Sequence, residues 1–243
     1  MSTYAIGDIH GNLEALDSLL SQIEPELETG DTLVFLGDFI DRGPNSKECV
    51  DRILRLKAEA PCPIIGLLGN HEQWMLRSMN DPTCHSWVVA TEALETVISY
   101  SEEAAVKIMD AMAALGVRLF TEKMPLPYKE FFDAMPDEHV RFFRELKPFH
   151  RTAEVICVHG GCSLDGVLDP YDDNVQVWGP IGFPEDYAGK DRVVYGHRDD
   201  GIVNAHGIAR PSIGANRTYG IDTISRGVLI SLRFPDGRIF QGR

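Results

Sequence analysis

The chain has 243 residues, 44% of them hydrophobic and 25% charged, an ordinary globular mixture long enough to bury a full core. A formal charge of −14 and a pI near 4.9 argue against a general nucleic-acid or anionic-membrane binder, since neither attracts an acidic surface. An anionic substrate stays open, because bound metals or a local cation cluster reverse the field inside a cleft.

The five cysteines, Cys49, Cys62, Cys84, Cys157 and Cys162, form no C-x-x-C pair and are odd in number, so thiols in a reducing cytoplasm are expected. The first eight residues lack a basic region and already contain Asp8, unlike a signal peptide, and no run approaches a membrane span of roughly 18 apolar residues. A cytoplasmic protein with neither nucleic-acid nor membrane partners is expected.

In chain order, Thr3-Tyr4-Ala5-Ile6 predicts a short strand that stops at Gly7-Asp8-Ile9-His10-Gly11. Leu13, Leu16, Leu19, Leu20 and Ile23 recur at helical spacing behind Asn12, a predicted cap. A strand over 32–36 runs into Gly37-Asp38-Phe39-Ile40-Asp41-Arg42-Gly43. Asn45-Ser46-Lys47-Glu48 has capping-box spacing and opens a helix carrying Val50, Ile53 and Leu54, ended by Pro61 and Pro63. Ile64 to Leu68 is a third strand, stopping at Gly69-Asn70-His71-Glu72. This β-α-β-α-β order predicts a parallel sheet with right-handed crossovers.

From Gln73 to about Pro148 the strand rhythm disappears and apolar spacing predicts helices, one over about 137–146 behind an Asp137 cap. We expect one domain over 1–243, with a helical insertion at about 73–150 that shapes a cleft or simply covers the sheet. The rhythm resumes at Glu154 to Val158, ending in His159-Gly160-Gly161. Residues 162–190 read as loop, Arg192 to Tyr195 as a strand ending in Gly196-His197, and the tail as antiparallel strands near 218–222 and 227–234. The expected fold is mixed α/β: a sandwich of two sheets with helices outside.

Asp8, His10, Asp38, Asp41, Arg42, Asn70, His71, His159 and His197 all follow apolar strands closely, so several can converge at one sheet edge. Carboxylate, imidazole and amide oxygen together suit borderline divalent metals such as Mn, Fe, Zn or Co, and the absence of thiolates disfavours structural zinc. Two metals need a bridging carboxylate, for which Asp38 is the central candidate.

These five motifs, in this order, resemble the calcineurin-like metallophosphoesterases, and within them the phosphoprotein phosphatase branch with its small bacterial and phage serine/threonine phosphatases. The resemblance implies an αββα sandwich of two mixed sheets with a dimetal site at the sheet edge, and covers roughly residues 7–197 apart from the helical stretch. It implies metal ligation by Asp8, His10 and Asp38 on one side and by Asn70, His159 and His197 on the other, with manganese foremost and Asp38 bridging. A metal-bound hydroxide would attack phosphorus in line, His71 would protonate the leaving group, Asp41 would fix the His71 ring, and Arg42, with Asn70 and His71, would bind the phosphoryl group.

Two departures are visible. The loop Val177-Trp178-Gly179-Pro180 lacks the second arginine expected beside the tryptophan, with Arg198, Arg210 and Arg217 as substitutes, and Ile224 follows Ile221-Asp222-Thr223 where glycine is expected. The expected function is phosphomonoester hydrolysis, on phosphoserine or phosphothreonine protein or a similar small ester. The rivals are a bis(5'-nucleosyl)-tetraphosphate hydrolase, whose branch commonly has alanine at Asp41, and a catalytically silent binding module on the same fold.

Overall fold

A computed structural model describes residues 1–171, 173–214 and 216–243. Strand β1 (Thr3–Ile6) leads to helix α1 (Leu13–Ile23), β2 (Thr32–Phe35) to α2 (Ser46–Glu59), and β3 (Ile64–Gly66) to α3 (Asn70–Asn80). Then come α4 (Ser86–Ala90), α5 (Leu94–Tyr100), α6 (Glu102–Leu115), α7 (Arg118–Thr121), α8 (Tyr128–Ala134) and α9 (Asp137–Arg144). The second half adds β4 (Phe149–Arg151), β5 (Ile156–Val158), α10 (Asp173–Trp178), β6 (Val193–Tyr195), β7 (Ile202–Val203), β8 (Ala209–Arg210), β9 (Ser212–Ile213), β10 (Thr218–Gly220), β11 (Leu229–Phe234) and β12 (Ile239–Gly242).

Among the described residues these strands build two mixed five-stranded sheets, β12-β11-β1-β2-β3 and β4-β5-β6-β10-β9, beside a small β7-β8 ribbon. The pairs β1-β2 and β2-β3 are parallel, as the β-α-β-α-β pattern predicts. Period-2 alternation sorts each strand between two layers. Ala5, Val34 and Leu36 face inward onto Cys157, Val194 and Ile221 of the second sheet, while Tyr4, Ile6, Leu33 and Phe35 face outward under the helices. On the far side of the second sheet, Ile156, Val158, Val193 and Tyr195 pack against Phe183 and Tyr187. Both sheets are therefore buried on two faces, which is why their strands read as continuous apolar runs.

Several local expectations change. Asn12 caps α1 by accepting from the Ala15 N–H at 3.1 Å, but Asn45 makes no side-chain cap bond to α2, and Glu48 Oε2 is buried without a hydrogen-bond partner. The α2 entry is instead tied by tertiary contacts, with the Ser46 hydroxyl beside Thr96 at 3.0 Å. At α9 the cap position is Pro136, and Asp137 sits in the first turn, where its charge favours the helix N-terminus. The stretch 162–190, read as loop, contains α10. The tail divides between the sheets: β10 runs parallel to β6, and β11 joins β1 antiparallel. Strand β4, unread in the sequence, pairs antiparallel with β5.

Candidate metal centre at the sheet edge

Each chemistry-bearing residue leaves the carboxyl end of a strand: Asp8 and His10 follow β1, Asp38, Asp41 and Arg42 follow β2, Asn70 and His71 open α3 after β3, and His159 and His197 follow β5 and β6. The two sheets pack face to face, so these ends meet. His10, Asp38 and His71 offer ligand atoms within 4.8 Å of one another, and so do Asp38, His159 and His197. Asp38 belongs to both groups. Its Oδ2 lies 3.6 Å from His10 Nε2, 3.8 Å from His71 Nε2 and 3.4 Å from His159 Nε2.

The hydrogen bonds fix what these rings present. His10 Nδ1 donates to the Ile40 carbonyl at 2.8 Å, which leaves the Nε2 lone pair buried with no partner. His159 Nδ1 donates to the Leu36 carbonyl at 2.9 Å, and its Nε2 faces Asn70 Oδ1 at 3.0 Å. Asn70 Oδ1 also meets His197 Nδ1 at 2.8 Å. Asp8 accepts from the His197 N–H through Oδ2 at 2.9 Å, while its Oδ1 is buried and unpartnered. Two buried acceptors at this edge, His10 Nε2 and Asp8 Oδ1, thus lack a donor, which costs free energy unless a proton or cation meets them.

Electrostatics say the same. Burial, then the charges of Asp222 and Asp38, push the Asp8 carboxyl well above its usual range. Burial drives His10 down to about 3, and burial followed by the neighbouring His159 drives His197 down to about 4, so both are neutral and free to ligate. Burial alone would raise Asp38, but His159, His71 and His10 outweigh it and hold its carboxyl well below the usual range. Burial would lower His159, but the Asp38 charge raises it, as it does His71, and a cation at Asp38 would offset that pull. Crowded carboxylates, the neutral His10 and His197 rings and the unpartnered acceptors fit divalent cations here.

Beside this centre, His71 Nδ1 donates to Asp41 Oδ2 at 2.7 Å. Burial would lower the His71 pKa, but the Asp38 charge, then the Asp41 hydrogen bond, lift it to about 9. Arg42 is exposed at the mouth, where it lines a cavity of about 600 Å³ together with His10, Asn45, Glu92 and Ile224.

The backbone here is held against its preference. His10, Asp38, Asp41, Arg42 and His197 all have positive φ, between 47° and 70°. Such conformations cost about 1–3 kcal/mol each and persist only where surroundings over-determine them. Glu72 supplies much of that restraint: its Oε2 accepts from the Asp38 and Gly69 N–H groups at 2.9 and 3.2 Å, and its Oε1 from Phe39 and Ile40 at 2.8 and 3.3 Å. Gly69 is required for space, since a Cβ there would lie 2.1 Å from Asp38 Oδ1.

All nine residues singled out from sequence reach this edge. Of the substitutes for the missing loop arginine, only Arg198 lies nearby, its Nε donating to the Gly160 carbonyl at 3.4 Å, whereas Arg217 bonds the Lys190 carbonyl and Arg210 sits in β8. Sequence reasoning missed Trp87 and Thr96, which bond Asp41 from the helical segment, and Asp222, buried beside Asp8. Asp222 carried a signal in the tail motif, but Trp87 and Thr96 carried none.

Residues 1–227 match the calcineurin-like phosphoesterase family. A zinc-dependent endopolyphosphatase of Saccharomyces cerevisiae is 34% identical over 98 residues, 40% of this chain and 28% of its own length. A symmetrical bis(5'-nucleosyl)-tetraphosphatase of Klebsiella pneumoniae is 42% identical over 76 residues, 31% of this chain and 25% of its own length. The chain thus spans about a quarter of the curated relatives it matches. Among solved structures, a candidate diadenosine tetraphosphatase superposes with a TM-score of 0.60 at 19% identity, covering 99% of this chain and 92% of its own. A serine/threonine phosphatase from Saccharomyces cerevisiae gives 0.56 at 16% identity, covering 100% and 80%. At these identities the superpositions concern the fold.

Proposed function

The chain belongs to the calcineurin-like phosphoesterases, and on that premise we propose that it hydrolyses phosphate monoesters, on the side chains of phosphoserine or phosphothreonine proteins or on a similar small ester. The observation that carries this reading is the buried His71–Asp41 pair beside the candidate metal centre. An alcohol is a poor leaving group and needs a proton as the P–O bond breaks. A nucleotide leaving group, with a phosphate pKa of about 6, departs as an anion and gains little from one. A site that spends a buried carboxylate on orienting an imidazole is therefore built for monoesters.

In this reading Asp8, His10, Asp38, Asn70, His159 and His197 would hold two divalent cations, with manganese the first to test and zinc, iron and cobalt next. Bound metals would supply a more acidic water and neutralise charge on the phosphoryl oxygens. Arg42 binds those oxygens at the mouth through its planar fork. His71 gives its Nε2 proton to the leaving oxygen, and Asp41 stabilises the charged ring. Metal charge at Asp38 would bring the His71 pKa down from about 9 by offsetting the carboxylate that raises it most. We read residues 1–243 as one cytoplasmic domain in which the segment 73–150 forms a wall of the site. Among the described residues no helix is long and apolar enough to cross a membrane.

A second reading, dinucleoside tetraphosphate hydrolysis, is favoured by the 42% identical tetraphosphatase segment and by the loop without its arginine. Initial rates on metal-stripped protein with added Mn²⁺ separate the two, using p-nitrophenyl phosphate, a phosphoserine peptide and diadenosine tetraphosphate, with His71→Asn as control. Metal-dependent release from the monoesters, lost in the variant, is the expected result. Turnover of the dinucleotide alone moves the protein to the second reading, and silence on all three with no metal bound leaves a binding module.

A further inference from the structure

The Asp41 carboxylate is fully buried, and both its oxygens are occupied from outside its own loop. Trp87 Nε1 donates to Oδ2 at 3.0 Å and to Oδ1 at 3.2 Å. The Thr96 hydroxyl donates to Oδ1 at 2.6 Å and accepts the Asp41 N–H at 2.7 Å. Ser46 closes the ring, its hydroxyl 3.0 Å from Thr96 Oγ1 and 3.2 Å from the Asp41 N–H. His71 takes what remains of Oδ2. Asp41 therefore holds its positive φ of 70° with side chain and N–H both tied to one threonine.

Trp87 and Thr96 lie in α4 and near the start of α5, inside the helical stretch that offered two sequence-level readings, a cleft wall or a plain cover. The Trp87 ring is anchored among Tyr128, Phe131 and Phe132, with centroids 5.3–6.4 Å away. A buried indole N–H needs an acceptor, and a plain cover would find one on backbone or water. Here it is spent on the carboxylate that orients His71.

We propose that Trp87 and Thr96 are positioning residues that clamp Asp41 and, through it, aim His71 Nε2 at the leaving-group oxygen, making α4 and α5 working parts of proton delivery. This rests on the reading of His71 as the proton donor. In the step served, the breaking P–O bond leaves its electron pair on the leaving oxygen, which takes the Nε2 proton. Water supplies the oxygen that stays on phosphorus, and solvent later returns a proton to His71. A clamp on the donor matters in proportion to how much the leaving group needs a proton.

The test compares phenyl phosphate, a poor leaving group, with p-nitrophenyl phosphate, a good one, in Thr96→Val, Thr96→Ser, Trp87→Phe and His71→Asn. Thr96→Val and Trp87→Phe are expected to lower kcat on phenyl phosphate by about tenfold or more, a fraction of what general-acid catalysis supplies, with KM unchanged and a clearly smaller loss on p-nitrophenyl phosphate. Thr96→Ser, which keeps the hydroxyl, restores the wild-type ratio of the two rates. Metal stoichiometry by calorimetric titration stays at the wild-type value. Equal losses on both esters in Thr96→Val, or loss of bound metal, would show a merely structural role and overturn the clamp. If His71→Asn itself fails to discriminate the esters, the proton-donor reading falls and the clamp with it. Should Trp87→Phe not fold, the threonine pair decides alone.

Discussion

Replacing Glu72 by glutamine tests whether the centre is held open by one carboxylate. Glu72 accepts four backbone N–H groups, from Asp38, Phe39, Ile40 and Gly69, and is fully buried. Glutamine keeps one carbonyl oxygen for one pair of donors and turns an NH₂ toward the other. Two buried N–H groups then lose their acceptor, at about 1–3 kcal/mol each. Taking about 4 kcal/mol in total, the melting temperature of a chain this size falls by about 8–16 °C. The loss falls on the segment that forces Asp38 to a φ of 51°, so that carboxylate should relax out of place. Partners of this kind typically govern metal affinity by about 10–100-fold. Thermal unfolding of metal-free Glu72→Gln, and its titration with Mn²⁺ or Zn²⁺, measure the two effects. A variant with wild-type melting temperature and wild-type metal affinity would refute the reasoning, because four donors would then have found other acceptors at no cost.

Other expectations concern the same edge. Gly69→Ala puts a Cβ 2.1 Å from Asp38 Oδ1, and overpacking of this kind costs about 1–3 kcal/mol, so metal binding should fail before folding does; titration against the wild type decides. Metal added to stripped protein at about 100 times its Kd should contribute about 2.7 kcal/mol, raising the melting temperature by about 5–11 °C, and Asp38→Asn should abolish the rise. In the metal-free protein the His71 pKa stands at about 9 against 6.5 unfolded. A raised pKa stabilises fully below pH 6.5, and that contribution, on the order of 3 kcal/mol, is lost as pH climbs through about 9. His10 and His197, lowered to about 3 and about 4, act oppositely: the unfolded chain takes up their protons first, so stability falls as pH drops from 6.5 toward 4. Melting curves of stripped protein between pH 4 and 10 should show both arms, and His71→Asn should flatten the alkaline one; an unchanged alkaline arm would refute its assignment.

The failed expectations share a cause. Asn45 and Glu48 have capping-box spacing, yet the Thr96 hydroxyl, 50 residues away, meets Ser46 at the helix start, and a local signal loses to a tertiary partner. Helix α10 is six residues long, too short for apolar periodicity to mark it inside a Gly- and Pro-rich stretch. Strand β11 forms the expected antiparallel pair with β12, but it also joins β1, while β10, read with it as antiparallel, runs parallel to β6 in the other sheet. Which edge a strand joins depends on the whole apolar surface it must cover, and no window of sequence contains that surface.

What the sequence determined by itself was whatever is local or periodic: the parallel β-α-β-α-β start, the short apolar runs that mark the buried strands, and the rule that every chemistry-bearing residue follows a strand. Since strands in packed sheets deliver their ends to a common edge, convergence of Asp8, His10, Asp38, Asn70, His159 and His197 followed from that rule. Tertiary structure alone decided what holds them. Glu72 meets backbone 32–34 residues away, and Thr96 and Trp87 meet Asp41 from 55 and 46 residues away. Such bonds follow no period and need no particular spacing. A lone threonine or tryptophan in an amphipathic helix looks the same whether it fills a core or holds a carboxylate, and only the packing of the helices onto the sheet makes the difference.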